Sequence, residues 1–69
     1  MTTSLDPKEA RLRLGLSIND MARACGVHRQ TLVKWERGER SPDAAALRLV
    51  HALLWLADRG LLTDYLDSV

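Results

Sequence analysis

The apolar and polar positions of the chain fall into five short helical periods, most of them ended by a glycine. Asp6-Pro7-Lys8-Glu9 has the chemistry of a helix start, with a carboxylate to accept from free amides, a proline at the first helical position and Glu9 placed as a capping-box partner. The period ends at Leu14, because Gly15 suits a left-handed terminus and Leu16 can fold back as its apolar companion. Ser17 to Asp20 forms a second capping box, and Met21, Ala22 and Cys25 share one side of the helix it opens. Gly26 ends that helix. A small residue, Ala22, four positions earlier predicts a close approach of two helices around a left-handed turn, which is the pattern of a helix-turn-helix.

The third period runs from His28 or Arg29 to Arg37 and is closed by Gly38. At about 100° per residue, Leu32 and Trp35 share a face while Gln30, Val33, Lys34 and Arg37 lie roughly opposite. One side packs, and the other is free to meet a ligand. Ser41-Pro42-Asp43 predicts a fourth start, with serine as the cap, proline at the first position and an acid that complements the helix dipole. From Ala44 to Ala57 the pattern is apolar nearly all round, only Arg48 and His51 being polar, so this helix needs cover on more than one side. Gly60 stops it, and Thr63 is placed to cap a last short helix from Asp64 to about Asp67. With no strand, repeat or low-complexity segment, the expectation is an all-α, five-helix fold.

Size and charge sharpen this picture. Sixty-nine residues allow one domain, here read as a helical core from 5 to 58 with a C-terminal extension from 59 to 69. A chain this short buries little surface, so it needs economical packing or a partner subunit. Residues 8 to 40 carry eight Lys and Arg against four acids, a net +4, whereas residues 41 to 69 carry Arg48 and Arg59 against four aspartates, a net −2. Such asymmetry fits a first part that meets a polyanion, although an ordinary solvated surface accounts for the totals equally well. The lone Cys25 excludes an internal disulfide and suits a reducing compartment. Met1 to Leu5 holds neither a basic stretch nor an apolar run, and Ala44 to Ala57 is too short to span a bilayer. The expected location is cytoplasmic, with no membrane partner.

Catalytic and metal chemistry lack the necessary residues. Cys25 and His28 are three apart, but His51 is the only other histidine and there is no second cysteine to complete a zinc site. Cys25 reads better as a small core residue. No glycine-rich phosphate loop, serine nucleophile motif or credible carboxylate pair is present. Neither enzyme activity nor a cofactor is expected.

The run Gly15-Leu16-Ser17, then Ala22, Gly26-Val27, Leu32 and Trp35-Glu36-Arg37-Gly38, ending in Ser41-Pro42, resembles the Cro and phage-repressor type of helix-turn-helix regulator, often called the xenobiotic-response-element family. The resemblance covers about residues 9 to 57 and implies a lambda-repressor-like domain whose third helix lies in the major groove of double-stranded DNA. The matching base-reading positions are Arg29, Gln30, Thr31, Val33 and Lys34. Their chemistry fits, since arginine or lysine donates to guanine, glutamine pairs with adenine and valine touches a thymine methyl. Phosphate contacts are implied at Ser17 and the amides opening the second helix, at Arg37 and Arg40, and at Arg11. Family members also tie the acid matching Glu36 to the arginine matching Arg11. Two positions depart from the pattern. Ile18 stands where glutamine commonly reaches a phosphate, so that contact is absent or moved to Asn19 or Arg23. His28 replaces the usual serine or threonine cap, which weakens the cap or brings an imidazole near a phosphate.

The C-terminal apolar residues Leu54, Trp55, Leu61, Leu62, Tyr65 and Leu66 exceed what so small a core needs. A surplus left exposed marks an interface. Closure of the core by Trp55 and Tyr65 is the competing account. A two-fold dimer would set two reading helices about 34 Å apart and favour a palindromic site. The resulting expectation is a homodimeric repressor that occludes a palindromic operator, plausibly in its own phage, mobile-element or anti-CRISPR-type operon. No small-molecule effector is expected in a chain of this size. The rival is an antitoxin-like interaction module that masks a partner protein with its C-terminal surface.

Overall fold

The computed structural model describes residues 6–69; Met1 to Leu5, and with them the start of the expected 5–58 core, lie outside the described residues. Five helices follow in order: α1 (Pro7–Leu14), α2 (Ile18–Cys25), α3 (Arg29–Arg37), α4 (Ala44–Asp58) and α5 (Leu62–Ser68). The fold is all-α, with no strand among the described residues.

The first two helices start, and the first three stop, where their local chemistry dictates. The Asp6 carboxylate accepts from the Lys8 amide at 3.1 Å, and Ser17 Oγ accepts from the Asp20 amide at the same distance. At the end of α1 the Leu16 N–H returns to the Arg11 carbonyl at 3.2 Å, and at the end of α2 the Val27 N–H returns to Ala22 at 3.0 Å. Both closures require the intervening glycine to be left-handed. Gly26 has φ +70°, yet a Cβ built there would meet nothing within 4 Å. The glycine therefore serves the turn alone, and the close helix approach belongs to Ala22, which is buried.

Two later boundaries differ from the sequence expectation. Helix α4 is capped by Asp43, whose carboxylate accepts from the Ala46 amide at 2.8 Å, so Ser41 and Pro42 stand outside the helix. A carboxylate three residues before a free amide is at least as good a cap as a serine hydroxyl. Helix α5 starts at Leu62, after Leu61, with no side-chain cap, and Thr63 lies inside its first turn. Packing fixes this start, because Leu62, Tyr65 and Leu66, spaced i, i+3 and i+4, all lie against the core.

That core consists of Ala10, Met21, Ala22, Ala24, Leu32, Trp35, Val50 and Leu53. Met21, Leu32 and Leu53 are fully enclosed. Ala24 takes the place expected of Cys25, which sits half-buried at the edge. Burial pushes the Cys25 thiol up, so it stays protonated and a poor nucleophile. The Ala24 carbonyl accepts a 2.6 Å hydrogen bond from the Tyr65 hydroxyl, latching α5 to the last turn of α2. Helix α4 buries Val50 and Leu53 but leaves Arg48, His51, Ala52 and Trp55 exposed. No described helix is long and apolar enough to cross a membrane.

Candidate nucleic-acid interface

Helix α3 is anchored by Leu32 and Trp35 on its inner side, which fixes what the outer side presents. Arg29, Gln30 and Lys34 are exposed there, and Thr31 and Val33 are half-buried beside them. Arg29, Gln30, Val33, Lys34, Arg37 and Glu39 line one shallow depression. An adjoining one is lined by Lys8 of α1, Ile18 of α2, and Arg29, Val33, Glu36 and Arg37. The two hollows share Arg29, Val33 and Arg37 and make one face with a net positive charge and an apolar pair, Ile18 and Val33, within it. Ile18 is half-buried and packs on the core. The residue that departs from the family pattern thus takes a packing role at the margin of the reading surface.

The expected phosphate-binding residues ring this face unevenly. Ser17 has its Oγ lone pair engaged by the Asp20 amide, which leaves its hydroxyl proton free to donate. Asn19, His28, Arg37 and Arg40 are exposed. His28 is the N-cap of α3 in backbone geometry, but its side chain makes no capping hydrogen bond, so the imidazole stays free. Arg23 faces Asp20 at 3.9 Å across an exposed surface, a contact of little consequence.

Arg11 is turned inward, onto the acid to which family members tie it. Its Nε donates to Glu36 Oε2 at 2.7 Å, Nη2 to Glu36 Oε1 at 3.1 Å, and Nη1 to the Leu16 carbonyl at 3.0 Å. The side chains of Arg11 and Glu36 are only 13% and 9% exposed. The fork-to-fork geometry and the third bond tie α1, the loop before α2 and α3 together. Hydrogen bonding to Glu36 raises the affinity of Arg11 for its proton further, so the brace carries its charge at any ordinary pH. Arg11 thereby braces α3 against α1.

The expected dimerisation residues divide into two groups. Leu54, Leu62, Tyr65 and Leu66 are half-buried against the core. Trp55 is 53% exposed and Leu61 42% exposed. The Arg59 guanidinium lies 4.2 Å from the Trp55 ring centroid, and Arg48, His51, Ala52, Leu54, Trp55 and Asp58 line a hollow beside it. Among the described residues no group of three or more His, Cys, Asp or Glu could hold a metal ion. Glu39 and the Tyr65–Ala24 bond are the features that periodicity and motif did not reveal. An acid beside Gly38 is visible in the sequence, but which face it joins depends on how the chain leaves α3.

A buried inner face, a glycine turn and a cationic outer face on the second of two short helices define a helix-turn-helix protein. A family model described as helix-turn-helix matches residues 8–54, and the chain belongs to this family of DNA-binding regulators, in its xenobiotic-response-element type. Over 42 residues it is 45% identical to a protein of Archaeoglobus fulgidus that is provisionally named as an HTH-type transcriptional regulatory protein. The aligned part is 61% of this chain and 14% of that relative. No solved structure matches the chain at a significant level.

Proposed function

We propose that the chain is a sequence-specific transcriptional repressor that binds double-stranded DNA as a homodimer, with α3 in the major groove. The observation that carries this reading is the outer face of α3, where Arg29, Gln30 and Lys34 stand exposed opposite the buried Leu32 and Trp35. Arg29, Gln30, Thr31, Val33 and Lys34 meet base edges. Ser17, Asn19, His28, Arg37 and Arg40 meet phosphates and set the register, which adds affinity without sequence information. Arg11 acts behind them, through Glu36.

Dimerisation draws its support from the exposed Trp55 and Leu61. The longer dimensions of the described chain, 31 and 30 Å, are close to the spacing of about 34 Å between successive major grooves on one side of B-DNA. Two copies side by side would present their reading helices to a palindrome, and occupancy of a promoter would repress it in the cytoplasm. The same exposed Trp55 favours a second reading, in which the C-terminal surface masks a partner protein. The two diverge on Lys34→Ala, which changes base preference in the first and leaves partner binding intact in the second.

Footprinting the purified protein on the DNA upstream of its own gene is the direct test. One protected, two-fold symmetric site is the expected result. Lys34→Ala and Gln30→Ala change which bases are preferred, each altered contact shifting discrimination by about 1–3 kcal/mol. Arg37→Ala and Arg40→Ala weaken all sequences alike and lower the salt slope by about 1. Unchanged affinity and preference in both Lys34→Ala and Gln30→Ala would remove α3 as the reading element.

A further inference from the structure

Glu39 is fixed in place by its backbone. Its N–H donates to the Lys34 carbonyl at 3.0 Å, and the Arg40 N–H donates to the same carbonyl at 3.3 Å. This return places an exposed carboxylate just beyond the C-terminus of α3, where the helix dipole disfavours negative charge. Its ion pair with Arg37 is 3.8 Å long, with side chains 69% and 54% exposed for Arg37 and Glu39, too wet to offset that cost by much. Glu39 therefore has no evident stabilising role. It does line the depression formed by Arg29, Gln30, Val33, Lys34 and Arg37, and Arg40 follows it directly in the chain.

We infer that Glu39 is an electrostatic brake on DNA binding. The inference rests on the DNA-binding reading above. In the free protein the carboxylate lies 3.8 Å from Arg37; in the complex it stands as a negative charge beside the phosphates that Arg37 and Arg40 engage. A phosphate that pairs with Arg37 therefore comes close to Glu39. Like charges about 6 Å apart at a wet surface correspond to an affinity loss of about three- to ten-fold, reduced by salt. The loss is the same for every sequence, because it is felt at the backbone of the DNA. A single acid thus holds a net-cationic face to a moderate, readily reversible grip.

The test compares the wild-type chain with Glu39→Gln and with Asp67→Asn, which removes the same unit of charge from α5. Fluorescence anisotropy is read on a duplex from the footprinted region and on an unrelated duplex of equal length, at about 50 and 200 mM salt. Glu39→Gln is expected to tighten both duplexes about three- to ten-fold at the lower salt, with a smaller gain at the higher. Asp67→Asn is expected to leave both nearly unchanged. Equal effects of the two substitutions, or none from Glu39→Gln, would overturn the inference. Weakening by Glu39→Gln on the footprinted duplex alone would overturn it too, and would make Glu39 a reader of a cytosine amino group. Failure of the wild-type chain to bind either duplex would instead overturn the DNA-binding reading, and this inference with it. Melting of Glu39→Gln at or above the wild-type temperature shows that any change in affinity is not a change in folding.

Discussion

Glu36 lies between the packed and open sides of α3, and this makes it the natural anchor of the Arg11 fork. Removing one partner leaves the other charge poorly solvated. Arg11→Met is therefore expected to destabilise the chain by about 1–3 kcal/mol, seen as a fall of about 4–8 °C in melting temperature per kcal/mol for a domain of this size. Arg11→Met combined with Glu36→Leu should recover part of the loss, because two apolar groups replace a half-satisfied ion pair. Thermal unfolding followed by circular dichroism decides between them, and a double variant no better than the single one would deny the pairing its role. The fork could be anticipated from the family pattern, but its consequence for Arg11 could not. Whether a guanidinium reaches inward or outward depends on the distance to its acid, and the Leu16 carbonyl that completes the site is a backbone group with no signature in residue type. Glu39 was equally obscure, since counting charges along a segment does not say which face each one joins.

The elements differ in how much of their geometry is local. Helices α1 and α2 follow from caps, glycine stops and apolar spacing, because each has a single good start and a single good stop; α3 has no side-chain cap and takes its bounds from Gly38 and the spacing of Leu32 and Trp35. The fourth start offered two competent caps, Ser41 and Asp43, and residue chemistry alone does not rank them. For α5 the cap chemistry pointed to Thr63, and the packing of Leu62 prevailed. Ala24 escaped notice because alanine is nearly neutral in an apolar pattern, although its neighbours in the core leave it no exposure to speak of. The turn between α2 and α3 gives the clearest test at this scale. Since a Cβ at Gly26 has open space, Gly26→Ala should cost only the strain of a left-handed alanine, about 1–2 kcal/mol. Urea denaturation is expected to show a lower midpoint with an unchanged slope. A larger loss would mean that the turn is crowded after all. Gly26→Asn should lose less, because asparagine visits this conformation more readily.

At the scale of the molecule, the C-terminal apolar surplus has two fates. Composition reveals a surplus but not its destination; α5, tied by the hydrogen bond from Tyr65 to Ala24, turns Leu62, Tyr65 and Leu66 inward while Leu61 stays wet. In the proposed homodimer Trp55→Ala is therefore expected to weaken self-association, seen as a shift toward monomer in sedimentation equilibrium, with little loss of fold. Leu53→Ala, by contrast, removes a fully enclosed side chain and should cost about 2–5 kcal/mol of stability. A Trp55→Ala chain that sediments as the wild type does would move the interface elsewhere. The two tryptophans also make the protein a natural two-colour probe of itself. Trp35, 8% exposed, should emit toward the blue until the core opens. Trp55, wet and overlaid by the Arg59 guanidinium, should emit further to the red and be the first quenched by iodide. Binding of any partner to the C-terminal face would then register in the red component alone, while unfolding registers in both.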